Sequence, residues 1–290
     1  MKTAFIFPGQ GSQAVGMGKD LAEKYLDQAN QILGFDLKRL CLEGPEEELK
    51  KTEITQPAIL SVSVAAFEAL KSKGTPPPSA VAGHSLGEYS ALVAASALSF
   101  QDAVRIVRLR GKFMQEAVPL GEGAMAAVMG ADNDRIKEIC EQTGNVWPAN
   151  FNSPGQVVIS GKKKAVESAG AKLREAGAKR VILLAVSAPF HCPLMQPAAD
   201  RLKAELEKIR IKDAQVPLVA NVTAAYVTKG DEIRALLIKQ VTGPVLWEES
   251  IKKMIGDGIT AFVEVGPGTV LSGLIKKIER TAAAKTYLEV

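Results

Sequence analysis

Along this chain the apolar residues alternate between short unbroken runs and helical spacing, and the changes of spacing mark out its elements. Mostly apolar runs bounded by turn residues predict buried strands at residues 3–7, at Val81-Ala82, near 217–220 and at 261–265. Helical spacing over 19–33 puts Leu21, Tyr25, Leu26, Ala29 and Leu33 on one face and closes at Gly34. Shorter helical pieces follow at 36–42 and 46–51. Pro57 opens a helix that is apolar almost all round to Ala69, which predicts a core element ending near Gly74. Pro76-Pro77-Pro78 then forms a rigid connector into the second strand, and a helix is predicted over 86–98. Ser99 and Asp102 supply a capping signature for the next helix, which carries Arg105, Arg108 and Arg110 and stops before Pro119.

From Ala124 the texture changes. Strands are predicted at 124–129, 146–150, 156–160 and 180–186, with helices at 132–143 and 162–176 and a turn at Ser153-Pro154-Gly155. That order, β-α-β-β-α-β, is the ferredoxin-like pattern. The predicted fold class is therefore α/β, with a larger parallel-sheet domain formed by residues 1–122 and 188–290 and a small ferredoxin-like domain inserted at 123–187. A cleft between them is the default place for a ligand. The chain re-enters the larger domain through Ser187 to Pro193, and further helices are predicted at 194–209, 231–241, 244–255 and 269–278.

Composition narrows the function classes. Hydrophobic residues make up 47% and charged residues 23% of the 290, an ordinary soluble balance. A net charge of +4 with 5% aromatic residues, and no basic stripe interleaved with aromatics, argues against nucleic acid. The apolar stretch 91–98 is too short to cross a bilayer and the first residues are too few for a signal peptide, so no membrane role is expected. Cys41, Cys140 and Cys192 form no C-x-x-C pair, which predicts a reduced, cytoplasmic protein without disulfides or a zinc site. The loop Gly9-Gln10-Gly11-Ser12-Gln13-Ala14 lacks the third glycine of a dinucleotide fingerprint, and no acidic residue ends a second strand at the right distance. No cofactor is expected.

The chemistry gathers at Val81-Ala82-Gly83-His84-Ser85-Leu86-Gly87-Glu88, a strand, a Gly-X-Ser-X-Gly turn and a helix start. This is the layout of the nucleophile elbow of hydrolase-like folds. The helix start offers unpaired amides to an oxyanion. A serine needs a base, and the chain has two histidines. His84 is next to Ser85 in a tight turn and is expected to point away and brace it. That leaves His191, in a loop fixed by Pro189 and Pro193. Between Ser85 and His191 the aspartates are Asp102, Asp132 and Asp134, all at predicted helix starts where capping explains them. A Ser-His dyad is therefore expected, its imidazole oriented by a backbone or amide carbonyl, with Gln240 a candidate for that carbonyl.

Five ordered segments carry a family resemblance: Phe7-Pro8-Gly9-Gln10-Gly11-Ser12-Gln13, Gly83 to Glu88, Arg110-Gly111-Lys112-Phe113-Met114-Gln115, Asn150-Phe151-Asn152-Ser153-Pro154-Gly155-Gln156 and Glu264-Val265-Gly266-Pro267-Gly268. Together they resemble the malonyl-CoA:acyl carrier protein transacylases of dissociated fatty acid synthesis, and the resemblance spans the chain. It implies a hydrolase-like domain with a ferredoxin-like insertion. It implies that Ser85 takes malonyl from coenzyme A as an ester and passes it to the phosphopantetheine thiol of acyl carrier protein. His191 would be general base and acid, oriented by the Gln240 main-chain carbonyl, and the amides of Gln10 and Leu86 would form the oxyanion hole. Arg110 would grip the malonyl carboxylate, as a guanidinium fork suits a carboxylate.

Phe190 departs from the pattern, since many family members have serine before the histidine. Related polyketide acyltransferases with phenylalanine there favour malonyl over methylmalonyl, which makes Phe190 a candidate for acyl selectivity. Lys179, Arg180, Lys276 and Lys277 are candidate docking positions for the acidic carrier protein, and a monomer is expected. Two rival enzymes share part of this pattern. An esterase or patatin-like lipase has the elbow but no use for Arg110, and a trans-acting polyketide acyltransferase shares every segment. A non-catalytic carrier-binding scaffold has no use for Ser85 with His191.

Overall fold

Ala4-Phe5-Ile6-Phe7, with no polar side chain and at most 2% exposure, runs through the middle of the larger sheet. The computed structural model describes residues 2–186 and 188–290. β1 (Lys2–Phe7) is followed by α1 (Glu23–Leu33), α2 (Leu37–Glu43), α3 (Glu46–Leu49) and α4 (Thr52–Ser72). β2 (Ala80–Gly83) leads through the serine turn into α5 (Gly87–Ala94) and α6 (Phe100–Glu116). The small sheet comes next: β3 (Gly123–Met129), α7 (Asn133–Thr143), β4 (Val146–Ser153), β5 (Gln156–Lys162), α8 (Lys163–Glu175) and β6 (Arg180–Leu183). The chain then adds α9 (Gln196–Leu206), β7 (Leu218–Val219), β8 (Tyr226–Val227), α10 (Gly230–Thr242), α11 (Trp247–Gly256), β9 (Ile259–Glu264), α12 (Val270–Ile278) and β10 (Ala283–Thr286).

The larger sheet has the order β10-β9-β1-β2-β7-β8, parallel except for β8. The small sheet is antiparallel, in the order β4-β5-β3-β6. This is the α/β fold class expected, with the ferredoxin-like pattern intact. The loops after β1, β2 and β7 leave the carboxyl ends of adjacent parallel strands, where open α/β sheets place their ligands.

Several boundaries differ from the sequence expectation, for identifiable reasons. Pro57 lies inside α4 and does not open it. The amides of Ile54 and Thr55 bond to the Lys51 carbonyl at 2.8 Å, and Gly111 of α6 lets the backbone of Thr52 and Glu53 pack closely, so tertiary contact extends the helix past the proline. That extension buries Gln56. α5 ends at Ala94, and Ser96 turns out of it with φ 58°. β6 stops at Leu183, freeing Leu184 and Val186 to line a cavity, while Ser187, the expected re-entry point, lies outside the described residues. Residues 244–246 are not helical, because Val245 exchanges backbone bonds with Ala149 and Phe151 and ties the larger body to β4. β10, an Ala-Ala-Lys-Thr edge strand without a large apolar residue, gave no apolar run to read.

Candidate active site

The turn after β2 is built as its glycines require. A Cβ on Gly83 would fall 1.9 Å from the Gly87 carbonyl carbon, and one on Gly87 would fall 2.0 Å from the Phe7 carbonyl oxygen. Ser85 sits between them in the left-handed region, φ 52°, a conformation that costs energy for a residue with a side chain. Asn221, in the loop after β7, holds it there. Its Oδ1 accepts from the Ser85 amide at 2.7 Å, and its Nδ2 donates to the Gly83 carbonyl at 2.7 Å.

Ser85 Oγ lies 2.7 Å from His191 Nε2. His191 Nδ1 lies 2.9 Å from the main-chain oxygen of Gln240. A carbonyl oxygen can only accept, so Nδ1 carries the proton and the lone pair of Nε2 faces the serine. The predicted pairing and the predicted carbonyl are therefore brought together. Burial first, and then the positive charge of Arg110, push the His191 pKa down to about 3, which keeps the resting imidazole neutral.

Arg110 reaches the same point from α6 and is 1% exposed. Its Nη2 donates to Ser85 Oγ at 3.1 Å and to Gln240 Oε1 at 2.8 Å, and its Nη1 donates to Gln56 Oε1 at 2.9 Å. These acceptors are neutral oxygens, and among the described residues no carboxylate is hydrogen-bonded to the guanidinium. Burial lowers its pKa, against the pull of Tyr89 and Glu88. Glu88, in the first turn of α5, is also buried, and burial lifts its pKa to about 7 against bonds from Gln240 and Asn221 and the charge of Arg110.

Ser85, His191, Arg110 and Gln56 line a cavity of 120 Å³ together with Gln10, Met114, Met125, Phe190 and Val186. Leu86 is the residue immediately before α5, so its amide precedes any intrahelical acceptor, and Gln10 lines the cavity. Phe190 is 8% exposed and abuts the base in sequence. The cavity continues into a cleft of 280 Å³ between the loop after β1, α12 and the face of the small sheet, with Gln10, His84, Asn150 and Leu184 on the walls of both.

His84 turns away from Ser85, as expected. Its Nε2 meets Asn152 Oδ1 of β4 at 2.8 Å and its ring lies 5.6 Å from that of Trp247, so it braces the elbow against the small sheet. Lys277 Nζ donates to Gln156 Oε1 at 3.1 Å, and Gln156 and Arg180 both pair with Met129 across the small sheet. Lys179, Arg180, Lys276 and Lys277 are all exposed, and Arg180 and the Lys277 partner Gln156 lie at the same end of the small sheet. Sequence reasoning missed Gln56, Glu88 as a site residue, and Asn221. Asn221 left a signal, a short polar side chain directly after a predicted strand, and Glu88 one in its place at the end of the elbow motif.

Comparison with known proteins places these features in context. The acyl transferase domain family matches residues 4–288. The malonyl CoA-acyl carrier protein transacylase of Escherichia coli (strain K12) is 52% identical over 295 residues, covering 99% of this chain and 96% of its own. A crystal structure of an acyl carrier protein S-malonyltransferase from Vibrio cholerae superposes with a TM-score of 0.96 at 45% identity, over 99% of this chain and 96% of the other. A malonyl-transacylase in complex with its type II PKS acyl-carrier protein gives a TM-score of 0.95 at 47% identity, over 99% and 95%.

Proposed function

Because this chain belongs to the acyl transferase family, as a malonyl CoA-acyl carrier protein transacylase, we propose that it moves malonyl from coenzyme A to acyl carrier protein through an ester on Ser85. The observation that carries the assignment of groups is the buried Arg110 guanidinium 3.1 Å from Ser85 Oγ, a cation placed where an acyl group with a free carboxylate would end.

Ser85 gives its proton to His191 Nε2 as Oγ attacks the thioester carbon. The amides of Leu86 and Gln10 receive the oxyanion. Collapse breaks the carbon–sulfur bond, and His191 returns the proton to the departing sulfur. The second half runs in reverse: the phosphopantetheine thiol gives its proton to His191, sulfur attacks the ester, and Ser85 recovers its proton. In the malonyl ester Arg110 holds the malonyl carboxylate by charge-assisted bonds. Once Oγ is an ester oxygen it is a poor acceptor, which releases the Arg110 Nη2 donor for the carboxylate.

In this reading residues 1–122 and 188–290 form the catalytic body and 123–187 the small domain, with the pantetheine arm entering by the cleft between them. Lys179, Arg180, Lys276 and Lys277 receive the acidic carrier protein, and Phe190 limits branching at the acyl α-carbon. The enzyme serves fatty acid synthesis in the cytoplasm, consistent with three free buried cysteines. One chain supplies every group named, which favours a monomer. The relative bound to a type II PKS carrier supports a second assignment, delivery to a polyketide carrier. Comparing kcat/KM on carrier proteins of both classes separates the two.

The test of the reaction is intact-protein mass after incubation with malonyl-CoA. A malonyl-sized gain that disappears in Ser85→Ala and moves to added holo carrier protein is the expected result. Loss of the ester to water at the same rate with or without carrier protein would make the chain a hydrolase.

A further inference from the structure

Glu88 closes the Gly83 to Glu88 motif, yet the transfer steps above give it no task. Its carboxylate is 1% exposed. Oε2 accepts from Gln240 Nε2 at 2.8 Å and from the Asn221 backbone amide at 3.2 Å. The other hydrogen of Gln240 Nε2 goes to the Ser85 carbonyl at 3.0 Å. With both amide hydrogens used on this side, Gln240 Oε1 faces the other way and accepts from Arg110 Nη2 at 2.8 Å. With Glu88 ionised, turning the amide over would set its N–H groups against the guanidinium and its oxygen against the carboxylate, two mismatches in a buried place. The main-chain oxygen of the same Gln240 receives His191 Nδ1. One glutamine therefore braces both the arginine and the base, and its side chain is oriented by Glu88 together with the Ser85 carbonyl.

We propose that Glu88 is a positioning residue for malonyl transfer: by holding the Gln240 amide in one orientation, it aims the Arg110 guanidinium at the acyl carboxylate. This rests on the reading of Arg110 as the carboxylate clamp. Glu88 touches neither the acyl group nor the nucleophile; it acts through Gln240. An aspartate in its place keeps the charge but is one methylene short of Gln240. A glutamine keeps an oxygen that can accept from both Gln240 and Asn221.

The experiment is single-turnover loading of Ser85 by malonyl-CoA and by acetyl-CoA, read by intact mass, for the wild type, Glu88→Ala, Glu88→Asp, Glu88→Gln and Arg110→Ala. Loss of one bond to a buried charged group predicts that Glu88→Ala and Glu88→Asp lower the malonyl-to-acetyl ratio about tenfold. Glu88→Gln is expected to keep most of it. A carboxylate that only stabilises the fold would slow both acyl groups alike, so an unchanged ratio in Glu88→Asp overturns the proposal, whatever happens to the rate. Should Glu88→Ala not fold, Glu88→Asp decides by itself. If Arg110→Ala keeps its malonyl preference, the clamp reading fails and this one with it. If Arg110→Ala loses the preference while Glu88→Asp retains it, the role of Glu88 alone falls.

Discussion

Arg110 donates a hydrogen bond to Ser85: Nη2 lies 3.1 Å from Oγ, and the same oxygen lies 2.7 Å from His191 Nε2. The guanidinium is thus one atom away from the base in the hydrogen-bond chain, and its charge opposes formation of an imidazolium. A malonyl carboxylate bound to Arg110 would offset that charge. In the proposed mechanism, the anion that the site selects also restores basicity to His191, whereas an acetyl group does neither.

This coupling predicts a pH effect with a definite sign. Removing a neighbouring cation favours the protonated imidazole, so Arg110→Ala raises the His191 pKa from about 3 towards its ordinary value. The acid limb of acetyl loading then moves to higher pH in Arg110→Ala than in the wild type. Single-turnover rates with acetyl-CoA from pH 4 upwards, or the His191 imidazole resonance, give the measurement. A limb that stays in place or moves down would show that the charge of Arg110 does not reach the base.

Phe190 forms part of the wall of the 120 Å³ cavity that Ser85 lines, so its bulk limits the room for a branch on the acyl group. Phe190→Ser is expected to reduce discrimination against methylmalonyl-CoA by roughly ten- to a hundredfold, the scale of one methylene in a tight pocket. Competition between malonyl-CoA and methylmalonyl-CoA for Ser85, read by mass, is the check. Equal discrimination in variant and wild type removes Phe190 as the selector.

How far the site could be read from sequence depended on the reach of each signal. Ser85 and its glycines are a local pattern, fixed by the sterics of one turn. His191 followed from scarcity, since the chain has two histidines and one is beside the serine. The carbonyl partner followed from the lack of a spare aspartate. The roles of Gln56 and Glu88 are legible only in three dimensions, because a buried amide or carboxylate acquires its meaning from what faces it. Gln56 was also hidden by Pro57, which looked like a helix start but lies inside α4, held there by packing on α6. The strands missed, β8 and β10, are short and at the sheet edges, where little hydrophobic burial shapes the sequence.

Lys276 and Lys277 are exposed at the end of α12, and the single bond from Lys277 to Gln156 is a surface contact worth little to stability. Reversing both charges, Lys276→Glu with Lys277→Glu, should leave the fold and malonyl loading intact. The KM for carrier protein should rise several-fold, and its dependence on salt should weaken. Steady-state kinetics at two ionic strengths test this. An equal rise in KM for malonyl-CoA would argue against a docking role.

Burial lifts the Glu88 pKa from 4.5 to about 7, and that shift has a consequence for stability. Between those two values the native state holds a proton that the unfolded chain has released, so stability falls as pH rises. Below pH 4.5 both states are protonated, and above about pH 7 both are ionised and the penalty is constant. Glu88→Gln does not titrate. Its stability relative to the wild type should therefore increase from pH 4.5 to 7 and then level off, by at most about 3.5 kcal/mol at about 1.4 kcal/mol per pKa unit. His191 titrates with the opposite sign, but it is common to both proteins and cancels in the difference. Urea unfolding of the two proteins at pH 4.5, 5.5, 7 and 8 supplies the comparison. A difference that stays flat across this range would mean that Glu88 is ionised in the native state well below neutrality, held so by Gln240, Asn221 and Arg110.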